Sequence, residues 1–117
     1  MTSAPAIVTG YGPRLTVDLG AIQRNWQALD KVSAGALTGA AVKADGYGLG
    51  AVPVAKALYV AGTRFFFVAT PDEGLALRPA LPEAHIFVLN GLFPGAAPLY
   101  VGERLMPVLN SLPMLEE

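Results

Sequence analysis

From residue 15 onward, short apolar runs alternate with amphipathic or turn-rich stretches. Residues 15–19 read as a strand. Residues 21–32 read as a helix with Gly20 near its N-cap, where Ile22, Trp26 and Leu29 recur at spacings of four and three and mark one apolar face. Residues 37–42 form the next strand, and 51–61 a helix with Pro53 in its first turn and Gly62 at its end. After a strand at 65–69, Thr70-Pro71-Asp72-Glu73 opens a short helix with an N-cap, a proline and two first-turn acids. A strand at 85–89, a helix at 96–102 and a strand at 105–109 follow, the last made less regular by Pro107. Ser111 then caps a helix that has Pro113 just inside it.

Nearly wholly apolar strands separated by helices indicate right-handed parallel βαβ units, an α/β fold. A complete (β/α)8 barrel of the TIM type needs about 250 residues. Counted from the strand that ends at residue 42, this chain holds about four strands, so the expectation is the N-terminal half of such a barrel. Residues 1–13 are expected to be a flexible N-terminus and 14–117 the barrel portion.

Composition adds one point. The chain is 53% hydrophobic and only 15% charged. An average domain is about 25% charged. So apolar a small chain suits a piece of something larger, with strands buried on both faces.

Eight basic and nine acidic side chains nearly balance, and no basic stripe with interleaved aromatics points to nucleic acid. Without cysteine there is no disulfide, thiolate metal site or thiol nucleophile, as suits a cytoplasmic protein. The first twelve residues have no positive charge and no long apolar core, unlike a signal peptide. No run reaches the roughly 18 apolar residues of a membrane helix. A soluble protein is expected.

The chemistry concentrates in Ala40-Ala41-Val42-Lys43-Ala44-Asp45-Gly46-Tyr47-Gly48-Leu49-Gly50. A lysine at the C-terminal end of a buried parallel strand opens onto the face where α/β proteins place their chemistry. Its amine can form a Schiff base with an aldehyde cofactor. The glycines that follow would let backbone N–H groups crowd an anion, and the Tyr47 hydroxyl adds one more donor. An aldehyde and a phosphate on one small molecule describe pyridoxal 5′-phosphate.

The segment Val42-Lys43-Ala44-Asp45-Gly46-Tyr47-Gly48-Leu49-Gly50 resembles the cofactor-attachment site of bacterial alanine racemases, with Gly46 in place of the commoner alanine and Leu49 in place of the commoner histidine. Arg14 to Ile22 with Asn25 is similar to the opening strand and first helix of that family, and Phe67-Val68-Ala69 with Glu73 to Arg78, Ile86 to Gly91, and Pro107 to Ser111 are similar to later parts of it. The resemblance implies interconversion of L- and D-alanine for peptidoglycan. Lys43 would be both cofactor anchor and base on the D face, Tyr47 the phosphate donor, and Leu89 a wall beside the cofactor ring. It also implies a homodimer whose partner subunit supplies a tyrosine base from a C-terminal β domain, with which the strand at 15–19 would pack. The cofactor-contacting arginines and that tyrosine would lie beyond residue 117, so these residues alone would be inactive. A decarboxylase or another racemase on the related barrel shares part of the lysine motif. A non-catalytic remnant that binds only cofactor or a partner is a different class of reading.

Other motifs read as structural. The order G-x-G-x-G at Gly46, Gly48 and Gly50 lacks dinucleotide-loop spacing, and no Walker lysine follows. His85, the sole histidine, starts a strand at the end away from the chemistry. Asp72 and Glu73 read as helix N-terminal charges, and no acidic or histidine cluster has metal spacing.

Overall fold

The computed structural model describes residues 10–117, so the flexible N-terminus expected over 1–13 lies outside the described residues from 1 to 9. The elements run α1 (Leu19–Val32), β1 (Ala40–Ala41), α2 (Lys43–Tyr47), α3 (Ala51–Ala61), β2 (Phe65–Val68), α4 (Pro71–Leu77), a 3-10 turn (Arg78–Ala80), β3 (His85–Val88), α5 (Ala97–Glu103), β4 (Leu105–Pro107) and α6 (Leu112–Glu116). The strands form one four-stranded sheet in the order β1-β2-β3-β4. Every pairing is parallel, and Ala41, Phe67, Phe87 and Met106 stand at one level across it.

Period-two alternation gives this sheet two different faces. Phe66, Val68, Ile86, Val88 and Leu105 are buried against Val54, Ala55 and Leu58 of α3, Leu77 of α4 and Tyr100 of α5. Phe65, Phe67, Phe87 and Met106 are half-buried on the other face. The Phe67 and Phe87 rings stack there at 4.9 Å between centroids, and Phe65 stacks on His85 at 5.0 Å. Gly39 makes room for this row, because a Cβ on it would lie 2.7 Å from the Phe67 ring.

Three expectations need correction. Residues 15–19 form no strand, and Leu15 is 79% exposed, because a strand exists only on a hydrogen-bonding partner and no described segment offers one. The first helix is capped by Asp18 and not by Gly20. The Asp18 carboxylate accepts from Ala21 N at 2.9 Å, which glycine has no side chain to do. Leu29 is 64% exposed, while Leu19, Ile22 and Trp26 pack onto the core, so the apolar stripe of α1 ends a turn early. Trp26 fixes the helix by donating its indole N–H to the Thr38 carbonyl, and the Thr63 hydroxyl donates to the same oxygen at 2.8 Å. Gln23 adds a bond to the Ala57 carbonyl of α3.

Candidate active site

Lys43 follows directly on the end of β1. Val42 N still donates to the Phe67 carbonyl at 2.9 Å, so the ladder runs to the residue before the lysine. On the other side of β2, Leu89 N donates to the Val68 carbonyl at 2.8 Å. Lys43 lies two residues past Ala41 and Leu89 two past Phe87, and Ala41 and Phe87 share one level, so both residues follow the C-terminal edge of the sheet. Both residues are half-buried.

The chain beyond Lys43 turns the wrong way for L-residues. Ala44, Asp45, Gly46 and Tyr47 all have φ between 52° and 64°, and α2 is a single left-handed turn. It has its own helical bonds, Gly46 N to the Val42 carbonyl and Gly48 N to the Ala44 carbonyl, and Gly48 closes it at φ 85°. Left-handed geometry costs roughly 1–2 kcal/mol for each non-glycine residue. Ala44, Asp45 and Tyr47 carry that cost, and such strain persists only where surrounding structure holds it.

Two carboxylates do the holding. Asp45 Oδ1 accepts from Ala51 N at 2.8 Å, tying the turn to the start of α3. Glu73 Oε2 accepts from Ala44 N at 2.6 Å. The other Glu73 oxygen accepts from Ala69 N at 2.9 Å and Thr70 N at 3.1 Å, while the Thr70 hydroxyl accepts from Glu73 N. This is the capping box of α4, as the sequence indicates, but with one arm extended to the lysine loop. A cap at i and i+3 is legible in a sequence, whereas a bond across 29 positions is not.

The glycine-rich loop departs from its expected role as an anion cradle. The N–H groups of Gly46, Gly48 and Gly50 donate to the carbonyls of Val42, Ala44 and Asp45, and that of Ala44 to Glu73. The glycines serve the left-handed path instead. Gly46 is also wedged, since a Cβ there would lie 3.1 Å from Ala51 N. Tyr47 is carried outward by the turn and is 63% exposed.

Arg78 lies at the opposite end of the sheet, where β3 and β4 begin, whereas Tyr100 reaches the loop that follows β3. Arg78 is 6% exposed and spends its guanidinium on the carbonyls of Leu81, Pro82, Ala84, Glu103 and Arg104 at 2.7–3.4 Å. Burial, helped by the nearby Arg104 charge, lowers its pKa, and Glu103 and Glu83 work the other way. The Tyr100 hydroxyl donates to the Gly91 carbonyl at 2.6 Å, and burial raises the pKa of its phenol. His85 begins β3 with its ring on Phe65, the structural place expected of it. Among the described residues no helix is long and apolar enough to cross a membrane.

Comparison with known proteins gives the context of this edge. The family model described as "Alanine racemase, N-terminal domain" matches residues 17–117. The chain is 49% identical over 98 residues to an alanine racemase of Rhizobium meliloti, and 54% identical over 100 residues to one of Acidiphilium cryptum. These matches cover 84% and 86% of this chain but 26% and 28% of the relatives, so the chain spans about a quarter of their length. Among solved structures, alanine racemase from Bartonella henselae with covalently bound pyridoxal phosphate superposes with a TM-score of 0.82 at 40% identity, covering 86% of this chain and 28% of that one. Alanine racemase from E. faecalis gives 0.79 at 34% identity, covering 86% and 27%. The four parallel strands match the N-terminal part of the TIM barrel in those structures, and the chain belongs to the alanine racemase N-terminal domain family.

Proposed function

We propose that this chain carries the cofactor lysine of a pyridoxal-phosphate-dependent alanine racemase, which interconverts L- and D-alanine. One observation carries the reading: a half-buried lysine stands two residues past the first strand of a parallel sheet, at the edge where such sheets place their chemistry, and a left-handed turn follows it. The donor set there fits the cofactor. A primary amine suits its aldehyde, the exposed phenol of Tyr47 suits its phosphate, and the apolar Leu89 follows β3 at the same edge of the sheet.

In this reading Lys43 Nζ anchors the cofactor, the Tyr47 hydroxyl donates to its phosphate, and Leu89 lines the ring and keeps water from it. Pyridoxal phosphate, when bound, supplies an electron sink that eases removal of the proton on the α-carbon. With the cofactor bound, Lys43 Nζ would be the base that takes up or returns that proton on the D face. A base for the opposite face is assigned, by the resemblance, to a tyrosine of a second subunit in a homodimer. The 117 residues alone contain one base of the pair, and racemisation by them alone is not expected. The exposed, unpaired segment 15–18 is assigned to pairing with a further β domain. A cytoplasmic place supplying D-alanine for peptidoglycan completes the proposal.

Borohydride reduction of the full chain with pyridoxal phosphate, followed by peptide mapping, tests the anchor. Label on Lys43 is expected. Label on Lys31 or Lys56 with Lys43 clean overturns the assignment.

A further inference from the structure

We infer that Glu73 is a positioning residue for Lys43, acting through the first N–H of the left-handed turn. The inference rests on Lys43 being the cofactor anchor. The Glu73 carboxylate joins two strand ends that are adjacent in the sheet but far apart in sequence. One oxygen is occupied by the N–H groups of Ala69 and Thr70, at the exit of β2. The other is occupied by the N–H of Ala44, the residue next to the lysine, at the exit of β1. Ala44 is in left-handed conformation at φ 52°, which an alanine leaves unless it is held. The carboxylate therefore sets the backbone path on the C-terminal side of Lys43, and with it the direction in which the lysine side chain leaves the sheet. Freed from Glu73, the turn can relax toward ordinary φ values, and Lys43 loses a fixed place at the edge of the sheet.

The two oxygens make the test selective. In Glu73→Gln the carbonyl oxygen can keep the Ala69 and Thr70 bonds. The amide NH2 then faces Ala44 N, donor against donor, and that one link is lost. Thr70→Ala is the converse: it removes the hydroxyl cap of α4 and leaves Glu73 with its three backbone partners. In the full chain, the affinity of apoprotein for pyridoxal phosphate, read by fluorescence titration, is expected to fall about tenfold in Glu73→Gln, a change of about 1.4 kcal/mol. It should stay within about twofold of wild type in Thr70→Ala, although that variant melts at lower temperature. Wild-type affinity in Glu73→Gln overturns the inference. So does an equal loss in both variants, which would mean that any loosening of α4 has the same effect. Borohydride mapping of the wild type keeps the two readings apart. Label away from Lys43 sinks the anchor assignment, whereas label on Lys43 with an indifferent Glu73→Gln sinks only this one. If Glu73→Gln does not fold, amide exchange in the wild type decides: protection of Ala44 N–H equal to that of Ala69 and Thr70 upholds the clasp, and loop-like exchange overturns it.

Discussion

The Asp45 carboxylate accepts a hydrogen bond from Ala51 N at 2.8 Å, although Asp45 itself sits in left-handed backbone at φ 52°. One residue thus meets two demands. Aspartate is among the few L-residues that tolerate this region, and its short carboxylate reaches an otherwise free N–H at the start of α3.

Asp45→Ala is therefore expected to destabilise the fold by about 1–2 kcal/mol, a cap-sized loss. Asp45→Asn keeps both the tolerance and the acceptor and should cost less than about 0.5 kcal/mol. Urea denaturation of the two variants side by side checks the contrast.

Tyr47→Phe is expected to weaken cofactor retention by roughly 1.5–3 kcal/mol, one hydrogen bond to a charged group. Turnover at saturating cofactor should survive, because the exposed phenol is assigned to phosphate and not to proton transfer. Titration of apoenzyme with pyridoxal phosphate, followed by assay in excess cofactor, separates the two. Collapse of turnover with affinity intact would reassign the residue.

Arg78→Met is expected to cost about 3–5 kcal/mol, since it strips several buried carbonyls of their donor at one stroke. Glu103→Gln should change stability by less than about 0.5 kcal/mol, because Arg78 uses the Glu103 backbone carbonyl and not its carboxylate. Thermal unfolding of both variants makes the comparison.

Tyr100→Phe is expected to lose about 1–2 kcal/mol by leaving the Gly91 carbonyl unpaired. It should also flatten the alkaline limb of the stability profile. Burial raises the folded-state pKa of the phenol above its unfolded value of about 10. The folded state thus holds the proton more tightly, and the stabilisation, full below about pH 10, is lost as pH rises through the folded value. Denaturation midpoints between about pH 8 and about pH 11 should fall more steeply for wild type than for the variant.

The βα rhythm, the four barrel strands, the Thr70 and Ser111 caps and the proline and glycine bounds of α3 were all legible, because each rests on local periodicity or on capping within four residues. Lys43 and Tyr47 could be named because a lysine before a glycine-rich loop is a local pattern, and Leu89 because it stands at the end of a later apolar strand. What stayed hidden was non-local or a matter of handedness. Nothing in Ala44 or Tyr47 announces positive φ, so the glycines read as an anion cradle when they pave a left-handed turn. Glu73 read as a first-turn acid because its bond to Ala44 depends on β1 and β2 lying side by side. The segment 15–18 had the apolar alternation of a strand, but pairing needs a neighbour that the pattern alone does not supply.

The buried Arg78 has one more consequence. All five of its acceptors are main-chain oxygens, so none of its hydrogen bonds is made to a neighbouring side chain. A substitution at Leu81, Pro82, Ala84, Glu103 or Arg104 changes the side chain and leaves the carbonyl in place. The arginine's hydrogen bonds at the end of the sheet remote from Lys43 therefore do not depend on which side chains stand at these positions, although Leu81 and Ala84 are also held by core packing. The entire dependence falls on one position, where no other side chain offers a five-donor planar fork of permanent charge.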